Sequence, residues 1–400
     1  ETLDTGLPIT QARGQAQRAA QNFRFFAAQI EVLAGQSFST PAFLNYAIRK
    51  PAGVAGLITP WNTPFMLETW KLAPCLAAGD TCVLKPAEWS PLSADRLAHL
   101  LAEAGLPDGV CNVVHGYGET AGAPLVAHPG VQLISFTGET TTGSAISANG
   151  APTLKRYSME LGGKSPVVVF ADSDLDLAVD AAVFGVFSLN GERCTAGTRL
   201  LVEEPVYDEF VGRVAERAKR VRVGDPFDPR TELGPLIHPE HFSRVSRYLE
   251  LGRDEGRLLA GGGRPDGFER GNYVAATVFA DVAPTARVFQ EEIFGPVVVA
   301  TPFRGEAEAV RLANDVRYGL AAYVWTRDLQ RGQRVAQGID SGLVWLNSQN
   351  VRDLRTPFGG AKASGIGREG GEHSFEFYCE QQTVHVALGS HPIPRFGAGD

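Results

Sequence analysis

What the chain lacks narrows it first. No apolar run is long enough to cross a bilayer, and no charged-plus-apolar leader opens the sequence. Cysteine is scarce and odd in number: Cys75, Cys82, Cys111, Cys194 and Cys379, none in a C-x-x-C pair. That spacing argues against a disulfide framework and a zinc site, and it makes a reducing cytoplasm the expected setting. Only His238 and His241 approach ligand spacing. With Pro239 between them and no acidic partner pattern, they read as a surface helix start, and no metal is expected. Positive charge is in deficit too. The net charge of −8 argues against nucleic acid or an anionic membrane as the main partner. Internal repeats and low-complexity tracts are absent.

What remains is an ordinary globular composition, 44% hydrophobic and 20% charged over 400 residues. That is enough for two or three domains with a full core. The chain opens on Glu1 without an initiator Met, so an N-terminal part is expected to be missing. Residues 9–33 carry apolar positions at helical spacing and predict one long helix. Strands are predicted at 53–58, 81–84, 111–114, 133–136, 165–170 and 199–202. Helices are predicted at 65–78, 92–104 and 175–188. This alternation specifies an α/β fold of parallel sheet with crossover helices, and it repeats from 207 to 347 as a second α/β domain. The Gly- and Pro-rich tail after Leu388 reads as an extended arm.

Cys194 falls on a helix-to-strand turn, with Arg193 beside it and Gly191 and Gly197 flanking it. A reactive thiol needs polar, electropositive neighbours and backbone donors, although a lone loop cysteine is more often inert. Thr59-Pro60-Trp61-Asn62 ends a predicted strand, where α/β sheets bind ligands. Asn62 offers an amide donor for an oxyanion, though a Pro-bounded turn would look the same. Lys85 and Glu88 are placed to bind vicinal ribose hydroxyls, or to form a solvated ion pair. Thr137-Gly138-Glu139 runs from a strand into a helix and suits a phosphate at a helix N-terminus. Ser144 stands where a Walker loop needs Lys, and the upstream Gly118 to Gly122 run is a near miss to G-x-G-x-x-G. Glu160 precedes Gly162 and Gly163 at a strand end, where apolar neighbours would raise its pKa toward that of a general base. Glu292 could bind a ribose diol and Phe294 could pack on a flat ring.

Taken in order, these motifs resemble the aldehyde dehydrogenase superfamily across essentially all 400 residues. The resemblance implies a Rossmann-like cofactor domain, an α/β catalytic domain and a small β oligomerisation element. The expected boundaries are 1–161 for the cofactor domain (its N-terminal part missing), 162–375 for the catalytic domain and 376–400 for an oligomerisation arm. A hairpin near 33–50 would interrupt the first. Cys194 would be the nucleophile, Glu160 the base, and Asn62 an oxyanion donor. Lys71 and Glu380 would relay protons from Glu160. Thr59, Pro60, Trp61, Lys85, Glu88, Gly118, Gly122, Gly138, Gly162, Glu292 and Phe294 would bind NAD. Glu88 favours NAD over NADP because a carboxylate repels a 2′-phosphate. Glu139 is expected to turn away from the phosphates.

Trp70, Arg352, Arg355 and Phe358 would line the substrate pocket. The stretches 187–194 and 346–358 are similar to members that act on anionic semialdehydes, so the small-molecule substrate is expected to be an anionic aldehyde. Asp353 is an alternative partner for either arginine. A homodimer or homotetramer is expected. Three other readings stay open: an aldehyde dehydrogenase for another acidic or aromatic aldehyde, a non-redox thioester hydrolase using Cys194 and Glu160, and a binding protein on the same scaffold.

Overall fold

The computed structural model describes residues 1–397; the last three residues of the expected 376–400 arm lie outside them. A six-stranded sheet forms around Val54–Ile58 and Leu133–Thr137, flanked in parallel by Thr81–Lys85, Cys111–Val113 and Arg156–Glu160. Every residue of Leu133–Thr137 is buried, as befits a strand covered on both faces. Parallel pairing sends the carboxyl ends of these strands to one edge. Thr59–Asn62, Lys85, Thr137–Gly138 and Glu160 therefore emerge side by side, although they lie up to a hundred residues apart in sequence.

The second sheet has seven strands, ordered Arg257–Ala260, Thr277–Ala280, Val297–Phe303, Arg199–Glu203, Pro166–Val169, Ala321–Trp325 and Leu343–Leu346. All neighbours pair in parallel except the antiparallel edge strand Arg257–Ala260. Two apolar clusters cover its faces, one around Phe210 and Tyr323, the other around Phe279 and Phe289. The chain does not stay with this sheet up to residue 375, as the expected boundary had it. Gly365–Ile366 pairs antiparallel with Arg156–Glu160, and helix Gly371–Tyr378 contacts helix Pro64–Ala78 beside the first sheet. The glycine-rich run explains this, because Gly365 (φ 150) lies so close that a Cβ would meet the Met159 carbonyl oxygen at 2.1 Å.

A third, antiparallel sheet joins Gln36–Ser39 and Phe43–Pro51 to the C-terminal strand Cys379–Ala387. The region expected as a hairpin is thus a three-stranded sheet closed by the far end of the chain. The helix Leu175–Phe187 leads to the candidate nucleophile. Asp174 caps its N-terminus by accepting from the Leu177 N–H at 3.1 Å. It ends where Leu189 and Asn190 take left-handed φ of 54° and 57°. Asn190 tolerates that conformation and is pinned there: its Oδ1 accepts from Gly234 N–H at 2.8 Å. Gly191 follows at φ 70°, and a Cβ there would meet the Gly295 backbone at 2.3 Å. Only glycine lets the Cys194 loop close onto the loop carrying Phe294. No helix among the described residues is long and apolar enough to cross a membrane.

Candidate active site

Cys194 stands where two cavities meet. One, of about 460 Å³, is bounded by helix Ile9–Glu31, Trp70 and the 350–358 loop; the other, of about 360 Å³, is bounded by Trp61, Gly138, Gly162, Glu292 and Phe294. Asn62, Leu67, Thr137, Glu160 and Cys194 line both. Burial pushes the thiol up to about 11, with Arg352 opposing and Glu292 and Glu160 adding to the rise. The resting sulfur is therefore protonated and weakly nucleophilic, and it needs a base or a positive charge to act. Asn62 is buried and donates to the Glu192 carbonyl at 2.8 Å, two residues before the sulfur. Its amide carries a second N–H for a developing oxyanion.

Two buried carboxyls differ sharply. Glu160 is 4% exposed, and neither of its oxygens finds a partner. Burial first and the neighbouring Glu369 second hold its pKa well above the usual carboxylate range; Lys71, Arg368 and Arg352 oppose. Such surroundings favour the neutral form and make the ionised carboxylate a stronger base than an exposed one. Glu369 is instead saturated. Trp70 Nε1 donates to its Oε2 at 2.6 Å, and Lys71 Nζ donates to its Oε1 at 2.8 Å. Ser135 and Ser158 donate to that same oxygen at 3.2 and 3.3 Å.

This arrangement corrects the expected relay. Glu380 does not approach Lys71; it lies exposed on the C-terminal strand, opposite Lys50 and paired with Arg156. The acid at Lys71 is Glu369, which sequence reasoning missed. Its position in Gly367-Arg368-Glu369-Gly370-Gly371 was the available signal, since glycines admit backbone close to a buried group. Trp70 lines the larger cavity while its indole N–H is spent on Glu369.

The smaller cavity suits the nicotinamide end of a dinucleotide. Glu292 is held by the Gly163 N–H at 2.8 Å, and burial pushes its pKa up to about 7. A Cβ at Gly162 would sit 2.2 Å from Glu292 Oε2, so the glycine reserves that carboxyl's place. Pro60, Trp61 and Phe294 supply flat apolar walls, Trp61 and Phe294 meeting edge-to-face at 5.2 Å. Thr59 is buried beside them, with its hydroxyl unpartnered. Glu139 engages Arg244 at 3.4 Å, which turns its charge onto a cation.

Lys85, Glu88, Gly118 and Gly122 do not line this cavity but form a neighbouring group. Lys85 Nζ donates to the Pro86 carbonyl at 3.0 Å and lies 3.5 Å from Glu88. Its stem passes 3.7 Å from where a Gly122 Cβ would stand, and Gly118 opens a π turn onto free space.

On the larger cavity, Arg352 stacks on Phe358, its Cζ 3.9 Å from the ring centroid. Arg355 is not in the wall. It pairs with Asp353 at 2.6 Å with its side chain 77% exposed, because a two-residue spacing in a turn favours the local partner over the cavity. Two arginines that sequence reasoning did not assign to the substrate do line it, Arg18 and Arg193. His241, expected at the surface, is buried in the wall of the smaller cavity. Among the described residues no group of three or more His, Cys, Asp or Glu is arranged to hold a metal.

Comparison with known proteins agrees with this geometry. The aldehyde dehydrogenase family pattern matches residues 1–384. The chain is 54% identical to 5-carboxymethyl-2-hydroxymuconate semialdehyde dehydrogenase of Escherichia coli, over 94% of this chain and 81% of that protein. It is 46% identical to 2-hydroxymuconic semialdehyde dehydrogenase of Pseudomonas sp. strain CF600, over 97% and 82%. The crystal structure of HpcC from Thermus thermophilus superposes with a TM-score of 0.97 at 54% identity, covering 99% of this chain and 78% of that one. Betaine aldehyde dehydrogenase from Staphylococcus aureus, solved in complex with NAD+, superposes with a TM-score of 0.96 at 36% identity, over 99% and 79%. With the family match spanning residues 1–384 and Cys194, the unpartnered Glu160 and both cavities joined at one point, the chain belongs to the aldehyde dehydrogenase family.

Proposed function

We propose that this protein oxidises an anionic semialdehyde from aromatic-ring breakdown to the acid, with NAD in preference to NADP. 5-Carboxymethyl-2-hydroxymuconate semialdehyde is the favoured substrate. One observation carries the substrate class: Arg18, Arg193 and Arg352 line the larger cavity, and none has a carboxylate partner among the described residues. Arg18 donates to Gln15 at 3.1 Å, Arg193 to the hydroxyls of Thr195 and Ser188, and Arg352 stacks on Phe358. Cations held together without counter-charge favour a ligand that brings it, and guanidinium pairs carboxylates two bonds at a time. The names of the E. coli and Pseudomonas relatives agree with this class.

The chemistry divides among the chain's own groups. The Cys194 thiol releases its proton to solvent, the thiolate adds to the aldehyde carbon, and Asn62 with the Cys194 backbone N–H receives the oxyanion. Glu292, with Trp61 and Phe294 beside it, would hold the nicotinamide end of NAD, which when bound would supply the hydride acceptor. The acyl group then rests on Cys194 as a thioester. Glu160 takes the proton of the water that hydrolyses it, and Lys71 with Glu369 carries that proton onward. A thioester hydrolase would need Cys194 and Glu160 but not the cavity built around Glu292, which disfavours that alternative. NADH absorbance with NAD and a panel of aldehydes tests the reading. Ester cleavage without NADH formation would overturn it.

Subunits would associate as a homodimer or homotetramer through the exposed three-stranded sheet, which light scattering after size exclusion reads directly. Five free thiols suit a cytoplasmic setting.

A further inference from the structure

The mechanism leaves one buried pair unused. Glu192, two residues before the nucleophile, is 2% exposed, and His241 on helix Pro239–Glu255 is 6% exposed. His241 Nε2 lies 2.7 Å from the Phe294 carbonyl oxygen, which can only accept, so Nε2 carries the proton. The same nitrogen is 3.6 Å from Glu192 Oε1. That oxygen accepts from the Ile237 N–H at 3.1 Å, tying the Cys194 loop to the start of the His241 helix. The Glu192 carbonyl accepts from Asn62. Phe294 itself sits at φ 61°, a left-handed backbone that a bulky residue keeps only when its surroundings hold it. Around it Trp61 packs edge-on to both rings, 5.0 Å from His241 and 5.2 Å from Phe294.

We propose that His241 is a positioning residue for the dinucleotide: its Nε2–H locks the Phe294 carbonyl and so sets the aromatic wall on which the nicotinamide end rests. Glu192 holds the nucleophile loop to the same helix, so the cavity wall and Cys194 share one anchor. Burial keeps His241 neutral, pushed down to about 4, and holds Glu192 well above the usual carboxylate range. The pair therefore works as fixed hydrogen-bonding groups. This inference rests on the reading that the smaller cavity takes NAD, and wild-type turnover with NAD checks that reading separately.

The test compares His241→Leu, which removes the donor, with His241→Gln, whose amide N–H reaches a similar distance. In the leucine variant the KM for NAD should rise about tenfold, the worth of one buried hydrogen bond, with the aldehyde KM unchanged. The glutamine variant should return to within about twofold of wild type. A leucine variant with unchanged KM for NAD would overturn the proposal. So would a folded glutamine variant as impaired as the leucine one, since His241 would then only fill space. Should His241→Leu fail to fold, the NAD KM of His241→Gln decides alone.

Discussion

The two cavities that meet at Cys194 differ in how much positive charge they leave unanswered: one exposed arginine in the smaller, three arginines in the larger. On the side proposed for the dinucleotide two acids are answered within the protein, Glu139 by Arg244 and Glu292 by the Gly163 N–H, and one exposed cation, Arg247, has no acidic partner among the described residues. On the substrate side the acids are answered, Asp353 by Arg355 and Glu369 by Lys71, while Arg18, Arg193 and Arg352 are not. A site left with unpaired guanidinium groups is complete only when an anion enters. Glu160 lies between the two and has no partner at all.

The largest effect is expected where the two cavities meet. Cys194→Ala should abolish NADH formation with every aldehyde while leaving NAD binding measurable by protein fluorescence. Next comes Glu160→Gln, which should slow thioester hydrolysis by about 100-fold or more while the first burst of NADH survives. Stopped-flow absorbance separates the two phases, and equal loss of both would contradict the role of Glu160. Its raised pKa sets the direction with pH. The hydrolytic step should accelerate as pH rises and Glu160 ionises, and Glu160→Gln should flatten that limb.

Smaller effects separate the two walls. Arg352→Ala should raise the KM for carboxylated aldehydes by about 10- to 100-fold, the cost of one charge-assisted contact, and leave neutral aldehydes nearly unchanged. On the other wall Glu292 is pushed up to about 7, so its carboxylate form gains population as pH rises through neutrality. The KM for NAD should fall a few-fold over that interval, a trend that Glu292→Gln should lack. Arg355→Ala should change neither KM, because its ion pair with Asp353 is exposed and outside the cavity.

Much of this was legible in the chain. The alternation of apolar runs located six strands to within a residue or two, because strands of a parallel sheet covered on both faces are rich in apolar residues, while Arg156–Glu160 and the strands after residue 207 were not given bounds. Cys194, Glu160 and Asn62 were each weak signals alone, and the ordered resemblance singled them out; the fold brings all three to the walls of the same cavities. Glu369 was not legible in that way. It reaches Lys71 from 298 residues away, through a glycine-rich crossing that no local period announces. Arg18 looks like any solvated helix residue until helix Ile9–Glu31 is laid beside the cavity. His241 was misread because a proline-initiated helix start looks superficial, whereas this one is packed under the Phe294 loop. Arg355 erred in the other direction. The contact with Asp353 two residues away was visible in the sequence and proved decisive.

The central claim is that unpaired arginines at the mouth of Cys194 select an anionic aldehyde. Its most direct test is the ratio of kcat/KM for a carboxylated aldehyde to that for its uncharged methyl ester, in wild type and Arg352→Ala. The expected ratio is well above one in wild type and falls by about 10-fold or more in the variant, through KM. An equal ratio in both proteins would contradict it.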